Sequence, residues 1–148
     1  MKRFGAATAL AVAGWMAMAG SVAEQPEPAR EVAGCRIVPG TLCSEKNLAG
    51  ADFRNARLAR SQFSGSRLQG ADFSGADLTG ANFSRADMQR SILQRAVLKG
   101  AELTRADLRE ADLSQADLSG ARLRDAQFGR SNLSRVSLDG ADLSMAEM

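Results

Sequence analysis

From residue 48 to the C-terminus, every fifth residue is Leu, Phe or Met, and the register never slips over 21 units. A small residue stands two positions before most of them, Ala in 15 units and Ser in four. The position between the small and the large residue is mostly polar and often acidic or amidic, as at Asp72 and Asn82. The repeating unit is therefore Ala-(Asp/Asn)-Leu-x-x.

A period of five residues is incompatible with one long helix or one long strand. Five residues turn about 500° on an α-helix, so the large side chains would point in all directions. On a continuous strand, an odd period would send them alternately to opposite faces. The pattern is satisfied if the chain turns a corner in every unit and both the small and the large residue point inward. Four such units predict a square coil, an all-β structure.

The phenylalanines support four units per coil. Phe53, Phe63, Phe73 and Phe83 are spaced by ten residues. With 20 residues per coil, Phe53 is predicted to stack on Phe73 and Phe63 on Phe83, on opposite walls. Three units per coil would scatter the four rings over all walls.

The run from residue 70 to residue 83, Gly-Ala-Asp-Phe-Ser-Gly-Ala-Asp-Leu-Thr-Gly-Ala-Asn-Phe, resembles the A(D/N)LXX units of pentapeptide-repeat proteins. The resemblance covers residues 46–148. It implies a right-handed quadrilateral β-helix, here of a little over five coils. At about 4.8 Å per stacked coil, the rod would be about 25 Å long.

Residues 1–23 have the features of a secretory signal peptide. Lys2 and Arg3 precede an uncharged, Ala-rich stretch, and small residues precede the predicted cleavage site after Ala23. The alternative is an uncleaved membrane anchor. A second alternative is lipidation at the Val-Ala-Gly-Cys sequence that ends at Cys35, although charged residues separate that sequence from the apolar stretch. Cleavage predicts a periplasmic or secreted protein without stable membrane insertion.

Residues 24–45 are predicted to form a polar linker and an N-terminal cap before the repeats of residues 46–148. Cys35 and Cys43 flank a Pro-Gly turn, and a close pair of cysteines in an exported protein predicts a disulfide. The alternative is two free thiols. Cys43 also lies five residues before Leu48, so we expect it to begin the inward column of the core.

Composition excludes most familiar catalytic sites. The chain has no His, so neither a Ser-His or Cys-His pair nor a His-containing zinc site can form. Removal of residues 1–23 leaves 17 basic and 17 acidic residues, spread so that each wall is nearly neutral. A neutral chain has no electrostatic footprint for nucleic acid. The sequence predicts no catalytic residue, cofactor or metal.

Two sets of residues are candidate protein contacts. Ile92 and Val97 are apolar residues at outward positions, which are otherwise mostly polar, and they fall on adjacent walls. The alternative is that β-propensity alone explains them. Leu143, Met145 and Met148 lie in the last coil, for which we expect no capping helix. That coil is predicted to stack end to end on a second copy.

These observations predict a non-enzymatic exported structural or protein-binding module, with an unknown partner in the cell envelope. The first alternative comes from the family resemblance, because some members mimic DNA and bind gyrase. The neutral charge and the predicted export both argue against it. The second alternative is a carbohydrate-active envelope protein that uses paired carboxylates, which flat walls without a pocket disfavour.

Overall fold

The computed structural model describes residues 29–148, so the predicted signal peptide lies outside the described residues. The described chain begins with a small antiparallel hairpin of β1 (Glu31–Val32) and β2 (Cys35–Arg36). Ala33 and Gly34 join the two strands with positive φ angles of 48° and 75°. Two consecutive positive φ angles are typical of the tightest hairpin turns, whose twist matches that of the strands.

Beyond the hairpin, the chain forms a solenoid held together by isolated parallel β-bridges. Each bridge joins residues 20 apart, from Leu42 with Gln62 to Gln127 with Glu147. A 20-residue coil therefore contains four pentapeptides, as the phenylalanine spacing predicts. At a typical bridge, the N–H of Phe53 donates to the carbonyl of Asp72 over 2.7 Å, and the N–H of Asp72 donates to the carbonyl of Ala51 over 2.9 Å.

A β-turn follows each bridge and makes the corner. In the turn after Leu68, for example, the N–H of Ala71 donates to the carbonyl of Leu68 over 3.0 Å. The third residue of the turn always has a positive φ: every fifth residue from Glu45 to Met145 has φ between 55° and 68°. This φ is a feature of type II turns and explains why Gly is frequent at that position.

The core contains both inward columns. The large residues from Leu48 to Phe128 are at most 2 % exposed, and Ala fills most of the small positions between them. Phe53 stacks on Phe73 at 4.7 Å between ring centroids, and Phe63 stacks on Phe83 at 5.1 Å, which confirms the predicted pairs. Edge-to-face contacts, such as that of Phe53 with Phe63 at 5.8 Å, join the two stacks across the core.

In the units where Asp or Asn precedes the large residue, that residue has a local role that the repeat pattern alone did not reveal. Its side chain accepts a hydrogen bond from the backbone N–H two residues later, as Asp72 does from Ser74 over 2.9 Å. The Ser74 hydroxyl donates to the same oxygen over 2.5 Å. Such bonds satisfy a backbone donor within the turn, which favours Asp or Asn before the corner.

No helix that could span a membrane occurs among residues 29–148.

Candidate interaction surfaces

The two cysteines lie together at the N-terminal end of the solenoid. They form a disulfide with a Cα–Cα distance of 5.8 Å, and both are buried. Cys43 begins the inward column, as its register predicts. The Val-Ala-Gly-Cys sequence that suggested lipidation forms the end of β1, the turn and the start of β2, and the Cys35 sulfur lies within the disulfide.

Ile92 and Val97 lie on adjacent walls, and each separates two aspartates. Ile92 bridges to Asp72 on one side and to Asp112 on the other. Val97 takes the same place between Asp77 and Asp117. An acidic residue at Val97 would stack three carboxylates in one column, and one at Ile92 would stack four, because Asp52 bridges to Asp72. The apolar side chains therefore have a structural explanation, and their role as a protein contact remains a prediction.

The last coil differs from the coils above it. The inward-register side chains of residues 131–147 are partly exposed, and Met148 is 69 % exposed. Leu143 points inward, whereas Met145 occupies a corner and is 72 % exposed. One coil earlier, the N–H of Leu123 donates to the carbonyl of Asp142 over 2.7 Å. The equivalent N–H of Leu143 donates no backbone hydrogen bond among the described residues. The coil thus presents apolar side chains and free backbone groups.

Charges on the rest of the surface pair between successive coils. Residues 81–100 carry four basic residues and one acidic residue, whereas residues 101–120 carry two basic and five acidic ones. The opposed charges meet along the axis, as in the ion pairs of Arg90 with Glu110 at 3.0 Å and Lys99 with Asp117 at 3.2 Å. This banding explains why each wall is neutral. Each exposed pair contributes about 0–1 kcal/mol.

Five surface aspartates have pKa values below the usual range. Hydrogen bonds from the Arg54 side chain, and then from its backbone N–H, lower the pKa of Asp52 well below its usual range. The Arg109 side chain has the same effect on the pKa of Asp107. No group of residues in 29–148 has the arrangement of a metal site.

One wall carries a long groove. This wall, called wall A, consists of the pentapeptides centred on Cys43, Phe63, Phe83, Leu103, Leu123 and Leu143. The groove has a volume of about 670 Å³ and runs from Glu45 to Asp125. Its floor is a row of hydroxyl-bearing residues, Ser64, Ser84 and Thr104, and the neighbouring corner supplies Arg85 and Arg105. The pentapeptide pattern does not reveal this groove, because its residues align only when the sequence is arranged in rows of 20.

These features define a β-solenoid whose surface is polar, charge-paired and open. The sequence profile of the pentapeptide repeats matches residues 47–85, 81–120 and 116–148, in eight copies. The chain belongs to the pentapeptide repeat family, as its sequence pattern suggested.

Three solved structures illustrate the similarity. A pentapeptide repeat protein from the thylakoid lumen of Arabidopsis thaliana is 30 % identical, with a TM-score of 0.55 over 70 % of this chain and 66 % of its own. Another, from the cyanobacterium Nostoc, is 30 % identical, with a TM-score of 0.44 over 66 % and 84 % of the two chains. QnrB1, a plasmid-mediated fluoroquinolone resistance protein, is 25 % identical, with a TM-score of 0.35 over 64 % and 58 %. A comparison with curated proteins found no match.

Proposed function

We propose that this protein is a non-enzymatic, exported binding rod that associates end to end with a second copy and binds a protein partner in the cell envelope. The observation that carries the proposal is the contrast between the charge-paired walls and the last coil. Leu143 and Met148 expose apolar surface there, beside backbone donors without a partner in the described chain. Unpaired strand edges and apolar patches are typical of surfaces that pair with another chain.

Export is supported by the sequence of residues 1–23 and by the disulfide of Cys35 with Cys43. Disulfides persist in oxidising compartments and are rare in the cytosol. We therefore divide the chain into a signal peptide (residues 1–23), a linker and cap (residues 24–45) and a repeat rod (residues 46–148). We infer that the cap closes the N-terminal end of a right-handed rod of about five coils.

Sedimentation velocity tests the association. We expect the wild-type protein to sediment as a dimer and the Met148→Asp variant as a monomer, because a carboxylate would be buried against its symmetry mate. Gln115→Asp is the matched control, since it adds the same charge at an exposed corner in the middle of the rod. A monomeric wild-type protein, or a Met148→Asp variant that remains a dimer, would contradict end-to-end association.

The DNA-mimicking alternative requires a continuous acidic surface. In this chain some acidic residues of one coil pair with basic residues of the next, as Glu102 does with Arg122 at 3.4 Å, while others stack on each other, as Asp87 does on Asp107. A gyrase supercoiling assay separates the two functions: we expect no inhibition at micromolar protein, and inhibition there would favour the gyrase binder. Binding to cell-wall glycans, followed by their cleavage, would instead favour the carbohydrate-active alternative.

A further inference from the structure

The charged residues that line the groove on wall A differ along its length. Glu45 lies at its N-terminal end, and Arg85 and Arg105 lie one and two coils beyond Gly65. Gly65 leaves a gap in this corner column, and the Glu45 side chain leans over it, with Cγ 3.5 Å from the place of a Cβ on Gly65. The Glu45 side chain therefore covers this gap, and the basic residues Arg85 and Arg105 line the groove beyond it.

The charges of this groove are not all neutralised within the rod. Arg85 forms no ion pair among residues 29–148. Arg105 and Arg124 share Asp125 at 3.7 and 4.0 Å, and Glu102 is paired with Arg122. Counting Arg122, four basic side chains face the three acidic side chains of Glu45, Glu102 and Asp125 along the groove, and Arg85 has no ion-pair partner in the described chain. A guanidinium group with free donors favours a carboxylate partner.

Exposed apolar residues lie at the two ends of the same wall. Leu42 is 77 % exposed in the first coil of wall A, and Met145 is 72 % exposed at its last corner. The two residues are five coils apart, which is about 24 Å at the spacing of stacked strands. An extended segment of about seven residues spans that distance at roughly 3.3 Å per residue. The hydroxyls of Ser64, Ser84 and Thr104 already donate to Ser44, Asn82 and Glu102, so they are available to such a segment as acceptors for its backbone N–H groups.

We propose that wall A binds an extended acidic peptide segment of a partner protein, with carboxylates opposite Arg85 and Arg105 and apolar residues against Leu42 and Met145. None of the ten residues that line the groove is aromatic, so the groove has no aromatic platform of the kind on which sugar rings and nucleic-acid bases stack. This inference deepens the proposed protein-binding function and rests on it. It shares Met145 with the end-to-end contact, but Arg85 and Arg105 lie outside that contact, so either proposal can fail without the other.

Fluorescence polarisation tests the proposal with a labelled peptide of sequence Leu-Ser-Glu-Ser-Glu-Ser-Leu and its counterpart with Lys in place of Glu. We expect the acidic peptide to bind the purified protein, the basic peptide not to bind, and binding of the acidic peptide to weaken with added salt. Arg85→Glu should weaken it about tenfold or more, because an attractive contact becomes repulsive.

Arg95→Glu is the control, because Arg95 lies in the same coil at another corner, with nearly the same φ and also without an ion pair in the described chain. It should leave the affinity unchanged, and matching melting curves would show that both variants fold. Equal losses in the two variants would mean nonspecific electrostatic attraction and would overturn the proposal. So would absence of acidic-peptide binding at millimolar concentration, or binding of the basic peptide. Met148→Asp should abolish the dimer and retain peptide binding, which separates the two surfaces.

Discussion

The hydroxyl of Ser66 bridges the first corner of the solenoid by donating a 2.6 Å hydrogen bond to the carbonyl of Cys43. It also accepts a 3.3 Å hydrogen bond from the N–H of Lys46. In the next turn, the equivalent groups bond directly, the N–H of Ala51 to the carbonyl of Leu48 over 3.1 Å. Ser66 thus replaces a turn hydrogen bond that is missing at the junction between the cap and the repeats.

Two serines at equivalent inward positions are predicted to have opposite effects on stability. Ser91 is fully buried, and its hydroxyl has no hydrogen-bond partner among the described residues. Ser91→Ala should therefore raise the free energy of unfolding by about 1 kcal/mol, because it removes an unsatisfied buried polar group. Ser66→Ala should lower it by about 1–3 kcal/mol, because two backbone groups lose their partner. Urea denaturation of both variants checks the prediction, and equal shifts would contradict it.

Replacing Ile92 with an acid should destabilise the rod electrostatically. Ile92→Asp would place a carboxylate between Asp72 and Asp112 in one column, at a cost of about 1 kcal/mol relative to Ile92→Asn. Ile92→Asn is the control, because it makes the same loss of apolar surface without the charge. The difference between the variants should shrink in high salt and vanish below about pH 3. A difference that persists under both conditions would show that charge repulsion is not the cause.

The rod is predicted to lose stability in acid. The folded state lowers the pKa values of Asp52, Asp107, Asp112, Asp117 and Asp142. A lowered folded-state pKa stabilises the fold above the unfolded-state value of about 3.9, and that stability is lost as the pH falls through the folded-state pKa. We expect the free energy of unfolding to be nearly constant from pH 7 to about pH 5 and to fall below about pH 4.

A variant isolates one contribution to this acid dependence. Arg109 is the first cause of the low pKa of Asp107. Arg109→Gln should therefore reduce the loss of stability between about pH 4 and pH 2. Arg95→Gln is the control, because Arg95 forms no ion pair in the described chain. Urea denaturation across this pH range gives the slopes, and identical slopes for the two variants would refute the assignment to Arg109.

The disulfide is predicted to stabilise the rod and to form on export. Cys35 and Cys43 are eight residues apart, and closing a loop of that size contributes about 2–3 kcal/mol. Cys35→Ser should lower the free energy of unfolding by that amount, and a reductant should destabilise the wild-type protein but not this variant. A reductant without effect on the wild-type protein would show that the bond is absent or contributes nothing.

Cell fractionation and intact-protein mass measure export directly. We expect an envelope or secreted species that lacks residues 1–23 and is lighter by two hydrogens than its reduced form. A reduced, full-length cytoplasmic species would contradict both the signal peptide and the disulfide, and would make intracellular targets such as gyrase the first to test.

The sequence by itself determined the solenoid. Its five-residue period favours a chain that turns a corner in each unit, and the spacing of the phenylalanines supports four units per coil. The register of Cys43 with Leu48 also placed the start of the core correctly. These predictions succeed because every repeat carries the same local signal, and each coil needs only its neighbours to bury its inward residues.

Only the tertiary structure decided how the outward residues meet. Stacking brings together residues 20 apart, so the pairing of Arg90 with Glu110, the place of Ile92 between two aspartates, and the groove beside Arg85 all depend on contacts between coils. Outward positions are weakly constrained by burial, since many polar residues fit there equally well. Their chemistry is therefore set by which neighbours the coil spacing provides, and the pentapeptide pattern contains no record of it.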